Sequence, residues 1–195
     1  RYYINVDHKH EISENINAGV NFEKVAKNDK DYFNDMTSNI AFTSQVSLSQ
    51  SAFLNYSTDS IFSKDDTFSA NLLTQKFQNL STSSPYERLP SLTAKYSNDI
   101  LDEDEFIIVD TNTSITYNQF DNNNDYSGAT RATGNRFTAT PSVEFPFESS
   151  FGYVTPKLIM NYKNYDIEGA NITSNRYLFL HFLLTVEYIL TNRLI

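Results

Sequence analysis

At 195 residues the chain has room for one domain or one segment of a larger one, and with no cysteine it holds neither a disulfide nor a thiolate metal site. The formal net charge is -9, and the basic face that a nucleic-acid binder normally shows is not visible. No run approaches the roughly 20 apolar residues of a membrane-spanning helix, which leaves membrane β-barrels open, because every second residue of a barrel strand is free to be polar.

The 15 Phe and 13 Tyr, with abundant Ser, Thr and Asn, suit pleated, half-buried surfaces. The first run, Tyr2 to His8, sets Tyr2, Ile4 and Val6 on one face and Tyr3, Asn5 and Asp7 on the other, with a short polar turn expected after it. Ile16, Ala18, Val20 and Phe22 follow, opposite Asn15, Asn17, Asn21 and Glu23. Lys27 to Asp35 reads as a charged loop. Ile40, Phe42, Val46 and Leu48 then alternate with Ala41, Thr43, Gln45 and Ser47. A very short link at Ser49 to Ser51 is expected to lead into a separate strand through Leu54 and Tyr56, alternating with Asn55 and Ser57. A polar loop through Lys64, Asp65 and Asp66 precedes Phe68, Ala70 and Leu72, and Ser83-Ser84-Pro85 marks a turn.

In the second half, Leu92, Ala94 and Tyr96 alternate with Thr93 and Lys95, ahead of an acidic loop from Asp102 to Glu105. Thr113, Ile115 and Tyr117 alternate with Ser114, Thr116 and Asn118. Asn122 to Asn135 is long and polar. Phe137, Ala139, Val143 and Phe145 share a face interrupted by Pro141. Val154, Leu158, Met160 and Tyr162 share another, interrupted by Pro156.

The pattern predicts an all-β antiparallel meander of about 9–11 strands, many near the length that crosses a bilayer with tilt. The first links alternate short and long, as in membrane barrels with short periplasmic turns and long outer loops. That rule fails after Phe120, where parity puts the 122–135 link on the short side; a further strand in the 100–112 region would restore it. Alternation alone also fits a soluble β-sandwich or solenoid. Strand length and the Tyr and Phe near strand ends favour the membrane.

No catalytic motif is present: there is no Gly-x-Ser-x-Gly, no His-Glu-x-x-His, and Gly128 and Gly134 lack a phosphate-loop ending. The chain is therefore expected not to be an enzyme and to need no cofactor. His8 and His10 are spaced to share a strand face and chelate a metal, but no third ligand is evident, and a solvated turn is the expected setting. His181 lies in an apolar run and is expected to be packed. The acidic groups Asp29/Asp31, Asp65/Asp66 and Asp102 to Glu105 lack EF-hand spacing and read as solvated loops. Asn15, Asn17, Asn21, Gln45, Asn55, Thr93 and Thr116 fall on polar faces. They would make a wet, weakly charged interior on which sugars slide by exchanging hydrogen bonds with water. Any barrel lumen is polar, so this set alone is no signature.

Three stretches carry a resemblance. Tyr86-Glu87-Arg88-Leu89-Pro90-Ser91-Leu92 resembles the Tyr-x-Arg-Leu-Pro-x-Leu element of the LptD family of LPS-assembly (organic solvent tolerance) proteins. Gly134-Asn135-Arg136-Phe137, with Pro141 and Pro146, resembles its Gly-x-Arg strand. Tyr153-Val154-Thr155-Pro156-Lys157-Leu158 with Tyr162 is similar to the strand that comes next. Order and spacing match as well, over residues 1 to about 177.

The resemblance implies a wall segment of a very large barrel in the Gram-negative outer membrane, part of the translocon that inserts lipopolysaccharide into the outer leaflet. It implies a periplasmic β-jellyroll domain before the barrel, the lipoprotein LptE in the lumen, and LptA as the periplasmic bridge to the jellyroll. Lipopolysaccharide would leave sideways between first and last strands. Tyr86, Arg88, Leu89, Pro90, Gly134, Arg136, Pro141 and Pro156 carry the resemblance, with structural roles expected; Pro141 and Pro156 are expected at bulges or bends. The family's disulfide cysteines have no counterpart, and no gate or substrate-contact residue is carried over. Residues 178–195 depart from the pattern: Phe179 to Leu184 is nearly all apolar where the family alternates, and a frameshift near Leu178 is the expected cause. A generic porin-like or receptor barrel and a soluble β-rich surface protein are the alternative readings.

Overall fold

In a computed structural model of the chain, the described residues are 2–36, 46–64, 66–80, 85–102, 107–121, 132–150, 152–168 and 174–188. The strands are β1 (Tyr3–Ser13), β2 (Ile16–Val25), β3 (Ser47–Asp59), β4 (Asp66–Asn79), β5 (Glu87–Asp102), β6 (Ile107–Asp121), β7 (Thr133–Glu144), β8 (Phe147–Ser149), β9 (Gly152–Glu168) and β10 (Asn175–Tyr188). Among the described residues there is one helix, α1 (Lys30–Met36), between β2 and β3. All strands belong to one antiparallel sheet in the order β1-β2-β3-β4-β5-β6-β7-β9-β10. β8 pairs β9 beyond the Phe145-Pro146 break, so β7 and β8 are two pieces of one line beside β9. The sheet is open, with β1 and β10 as its edges.

The expected turn at Ser49 to Ser51 is absent. β3 runs through it, with Ser49, Gln50 and Ser51 paired to Phe77, Lys76 and Gln75. The segment lacks the Gly, Pro, Asn or Asp that turns demand, and its alternation never breaks. Removing that turn repairs the parity. Links 14–15, 60–65, 103–106 and 150–151 gather at one end of the sheet, and links 26–46, 80–86, 122–132 and 169–174 at the other. The long 122–132 link thus sits with the long 26–46 link. Among the described residues of 100–112 there is no extra strand: β5 extends to Asp102 and β6 begins at Ile107. β1 likewise continues past His8 to Ser13. Ile40, Phe42 and Gln45 lie outside the described residues.

The charged loop at 27–35 contains α1. Asp29 starts it as an N-cap, accepting the Asp31 amide at 2.9 Å and the Tyr32 amide at 3.4 Å. The helix brings Phe33 into a tight apolar cluster with Val25, Leu48 and Leu80, and Tyr3 packs edge-on against Phe33. Gln78 ties the same corner, accepting from the Val25 amide at 2.8 Å and donating to its carbonyl at 2.9 Å. α1 therefore fills the wedge where β2 and β3 diverge beyond the Phe22–Gln50 pair.

Candidate functional site

Register fixes what each face presents. One row across the sheet reads Ile16, Tyr56, Ala70, Ala94, Ile115, Ala139, Tyr162, Leu178. The next row, on the opposite face, reads Asn17, Asn55, Asn71, Thr93, Thr116, Thr138, Lys163, Tyr177. Successive strand residues point to opposite faces, so a single in-phase register keeps the first row apolar and the second polar through seven strands, β2–β7 and β9; β10 is apolar in both rows. On the apolar face Val6, Val20, Leu54, Leu72, Leu92 and Leu158 are exposed. A contiguous belt of that size marks an apolar environment outside the sheet.

The polar face carries a side-chain ladder. The Asn55 side-chain Nδ2 donates to Asn17 Oδ1 at 2.9 Å, and Asn71 Nδ2 donates in turn to Asn55 Oδ1. Further along, Ser91 donates to Asn118 at 2.6 Å, and Lys157 pairs with Glu144 at 2.7 Å. Asn17, Asn21, Asn55, Thr93 and Thr116 share this face as the sequence pattern predicts. Asn15 sits instead in the β1–β2 turn, its carbonyl accepting the Ser57 amide.

The residues carrying the family pattern separate into two groups. Tyr86 and Arg88 lead into β5, and a register shift between Arg88 and Ser91 puts a bulge at Leu89-Pro90, whose peptide is cis. The ladder passes Pro141 (opposite Thr113) and Pro156 (opposite Leu184) without a shift, so the bulge falls at Pro90 and not at these two prolines. Tyr86, Gly134 and Arg136 come together with Phe120, Tyr165 and Ile167 around a cavity of about 240 Å³. Phe120 is opposite Gly134, Arg136 is opposite Tyr165, and Gly134 is opposite Ile167. Gly134 adopts φ 144°, and a Cβ there would overlap the Asp166 carbonyl oxygen, so only glycine fits. The Arg136 guanidinium lies 5.1 Å from the Phe120 ring centre, and Tyr86 meets the same ring edge-on. Sequence reasoning missed Phe120, Tyr165 and Ile167. Their only signal is negative: they are apolar at positions where the strand pattern calls for polar residues.

His8 and His10 lie within β1, not in a turn. Their rings stack at 6.2 Å on the apolar face, opposite Val20 and Ala18. Among the described residues no group of three or more His, Asp and Glu could hold a metal ion. His181 is exposed on the edge strand β10, opposite Ile159, because no strand covers that edge. Of the acidic groups, Asp29 caps α1, and Asp66 is buried at the β3–β4 turn. Asp66 accepts the amides of Ile61 (2.6 Å), Phe62 (2.7 Å) and Ser63 (3.0 Å) and the Tyr96 hydroxyl (3.3 Å). It lies beyond the apolar belt of β4, which begins at Phe68. Burial pushes the Asp66 carboxyl up, but these donors outweigh it and hold the group below the ordinary carboxylate range. Asp65 and residues 103–106 lie outside the described residues.

A meander of long strands, apolar on one face and amide- and hydroxyl-lined on the other, is built as the wall of a β-barrel. The sequence matches the LptD family, LPS transport system D, over residues 1–184, and the chain belongs to that family. It is 30% identical over 173 residues to the LPS-assembly protein LptD of Nitrosospira multiformis, covering 85% of this chain and 17% of that protein. The LPS-assembly protein LptD of Nitrosomonas eutropha is 30% identical over 86% of this chain and 22% of its own length. That of Pseudomonas putida strain GB-1 is 29% identical over 86% of this chain and 20% of its own length. The chain thus spans about a fifth of the relatives it matches.

Proposed function

We propose that this chain forms part of the wall of a large transmembrane barrel in the Gram-negative outer membrane, with its apolar face to lipid and its polar face to the lumen. In this reading it serves, without catalysis, in the transport and assembly of lipopolysaccharide into the outer leaflet. The observation that carries the proposal is the in-phase pair of rows, one apolar and one polar, held through seven strands of a chain of the LptD family. The long-link end faces outward and the short-turn end faces the periplasm. The lipoprotein LptE meets the polar face in the lumen, and LptA delivers lipopolysaccharide through a jellyroll domain that is separate from this wall. Tyr86, Arg88, Leu89, Pro90, Gly134, Arg136, Pro141 and Pro156 act structurally, shaping the wall. For residues 178–195 we propose a shift of reading frame near Leu178. A coding sequence with no better-matching alternative frame would overturn that part alone.

Photocrosslinking in cells tests the central reading. A photoreactive residue is placed at Asn71, Thr116 or Thr138, and at Leu72, Ile115 or Ala139. Lipopolysaccharide or LptE adducts are expected from the first set and phospholipid adducts from the second. Adducts without face periodicity, or none with lipopolysaccharide at any polar-face position, would reject it.

A further inference from the structure

The cavity at the long-link end stands out on the polar face because its walls are apolar. We propose that it binds an anionic saccharide, one sugar ring bearing a phosphate or carboxylate. Three observations converge on that chemistry. First, Gly134 forms a floor that no side chain can fill, between Phe120 on β6 and Ile167 on β9. The resulting space of about 240 Å³ is smaller than the roughly 300–1,000 Å³ of pockets for drug-sized ligands, and suits a single ring. Second, Tyr86, Phe120 and Tyr165 offer ring surfaces against which the C–H face of a pyranose packs while its hydroxyls stay in water. Third, Arg136 supplies a cation. Its guanidinium carbon lies over the Phe120 ring, 5.1 Å from the ring centre, and its Nε is buried without a hydrogen-bond partner. Among the described residues it forms no ion pair. A planar guanidinium with free N–H donors is the side chain best matched to the two oxygens of a phosphate or carboxylate. The neighbouring row of Thr116 and Thr138 extends the surface with hydroxyls, suited to the rest of an oligosaccharide.

The inference concerns this cavity and does not require the transport reading. The test uses the chain folded in detergent micelles, with glucose 1-phosphate as the probe and methyl glucoside and inorganic phosphate as controls. Saturable binding of glucose 1-phosphate is expected, at least about ten-fold tighter than either control, since each control lacks half of the recognised chemistry. Arg136→Gln should weaken it about ten-fold and Arg136→Lys by less. Tyr86→Ala, at an exposed position outside the strand, should weaken it several-fold with the circular dichroism spectrum unchanged. Phosphate binding as tightly as glucose 1-phosphate would overturn the proposal, as would binding unaffected by both Arg136→Gln and Tyr86→Ala, or no binding to the folded chain. Purified lipopolysaccharide then separates the sources. If it displaces the probe, the sugar belongs to a glycolipid; if it does not, the site takes free sugar phosphates. Both results support the site.

Discussion

β4 and β10 have the same length, 14 residues each, and both pair antiparallel along most of it, yet they specify different amounts of structure. On β4, Phe68, Ala70 and Leu72 share one face and Ser69 and Asn71 the other; past Leu72, Gln75 shares the polar side with Leu73 and Phe77. On β10, Leu178, Leu180, Phe182 and Leu184 share one face, but Phe179 and Leu183 stand on the other, and all six are more than half exposed. The ladder of backbone hydrogen bonds asks nothing of side chains, so both strands form it. Face and register are set by side chains alone. A slip of one residue would turn Phe68 to Leu72 of β4 into the wrong environment, and would leave β10 apolar on both sides as before. The centre of the sheet is therefore pinned, and its β10 edge is held by pairing alone.

The largest break in the pinned region comes from Gly134→Val. The new side chain must accept a positive φ and displace the Asp166 carbonyl, so β7 cannot keep its register on β9. Strain and overpacking together are expected to cost about 3 kcal/mol or more. Urea unfolding of the detergent-folded chain reads this as a lost or strongly shifted transition; a shift below about 1 kcal/mol would mean that the β7–β9 pairing is not as described.

Lysine substitutions sharpen the comparison between the two strands. With lipid on the apolar face, Leu72→Lys should cost about 2–4 kcal/mol and Asn71→Lys far less. The matching pair on β10, Leu180→Lys and His181→Lys, should differ by much less, because a strand apolar on both faces can re-register. Folding titrations into lipid vesicles give all four numbers, and equal costs at positions 71 and 72 would remove the assignment of faces. A smaller effect, about 1–2 kcal/mol, is expected for Asn55→Ala. Asn55 is the middle of the amide ladder, so its loss leaves Asn17 and Asn71 each short of one hydrogen bond.

The same contrast explains what the sequence could tell. Alternation announced the fold and the strands other than β8 and β10, because two faces in different surroundings leave a period of two in the residues. It misjudged Ser49 to Ser51, where small polar residues resemble a link but the period carries on to Tyr56. It missed α1, whose helical turn depends on one Asp29 cap and one buried Phe33, too short to show a period of its own. The family pattern flagged Tyr86, Gly134 and Arg136. That they converge with Phe120, Tyr165 and Ile167 is a product of register between strands distant in the chain, which no local pattern records. Leu89-Pro90 was visible as a motif, but its bulge appears only when the residues on β6 are counted against it.

The smallest expected effect is confined to one turn. Asp66 is held below its ordinary range by three amides and a hydroxyl, so its ionised form favours the folded turn. A carboxyl of this kind contributes stability at pH values above the ordinary Asp value of about 4, and the contribution is lost as pH falls through the lower folded-state value. Protonation leaves the Ile61, Phe62 and Ser63 amides competing for a weaker acceptor. Hydrogen exchange at these three amides, corrected for intrinsic pH dependence, should lose protection below about pH 4 while amides in the middle of β4 keep theirs. Asp66→Asn should remove the step and leave the turn less protected at neutral pH, since the amide has one acceptor oxygen where the carboxylate has two. Because the strands on either side are pinned by their faces, the opening should stop at the β3–β4 turn. If the whole of β4 lost protection with it, the turn, and not the alternating faces, would be what holds the register of the pinned half.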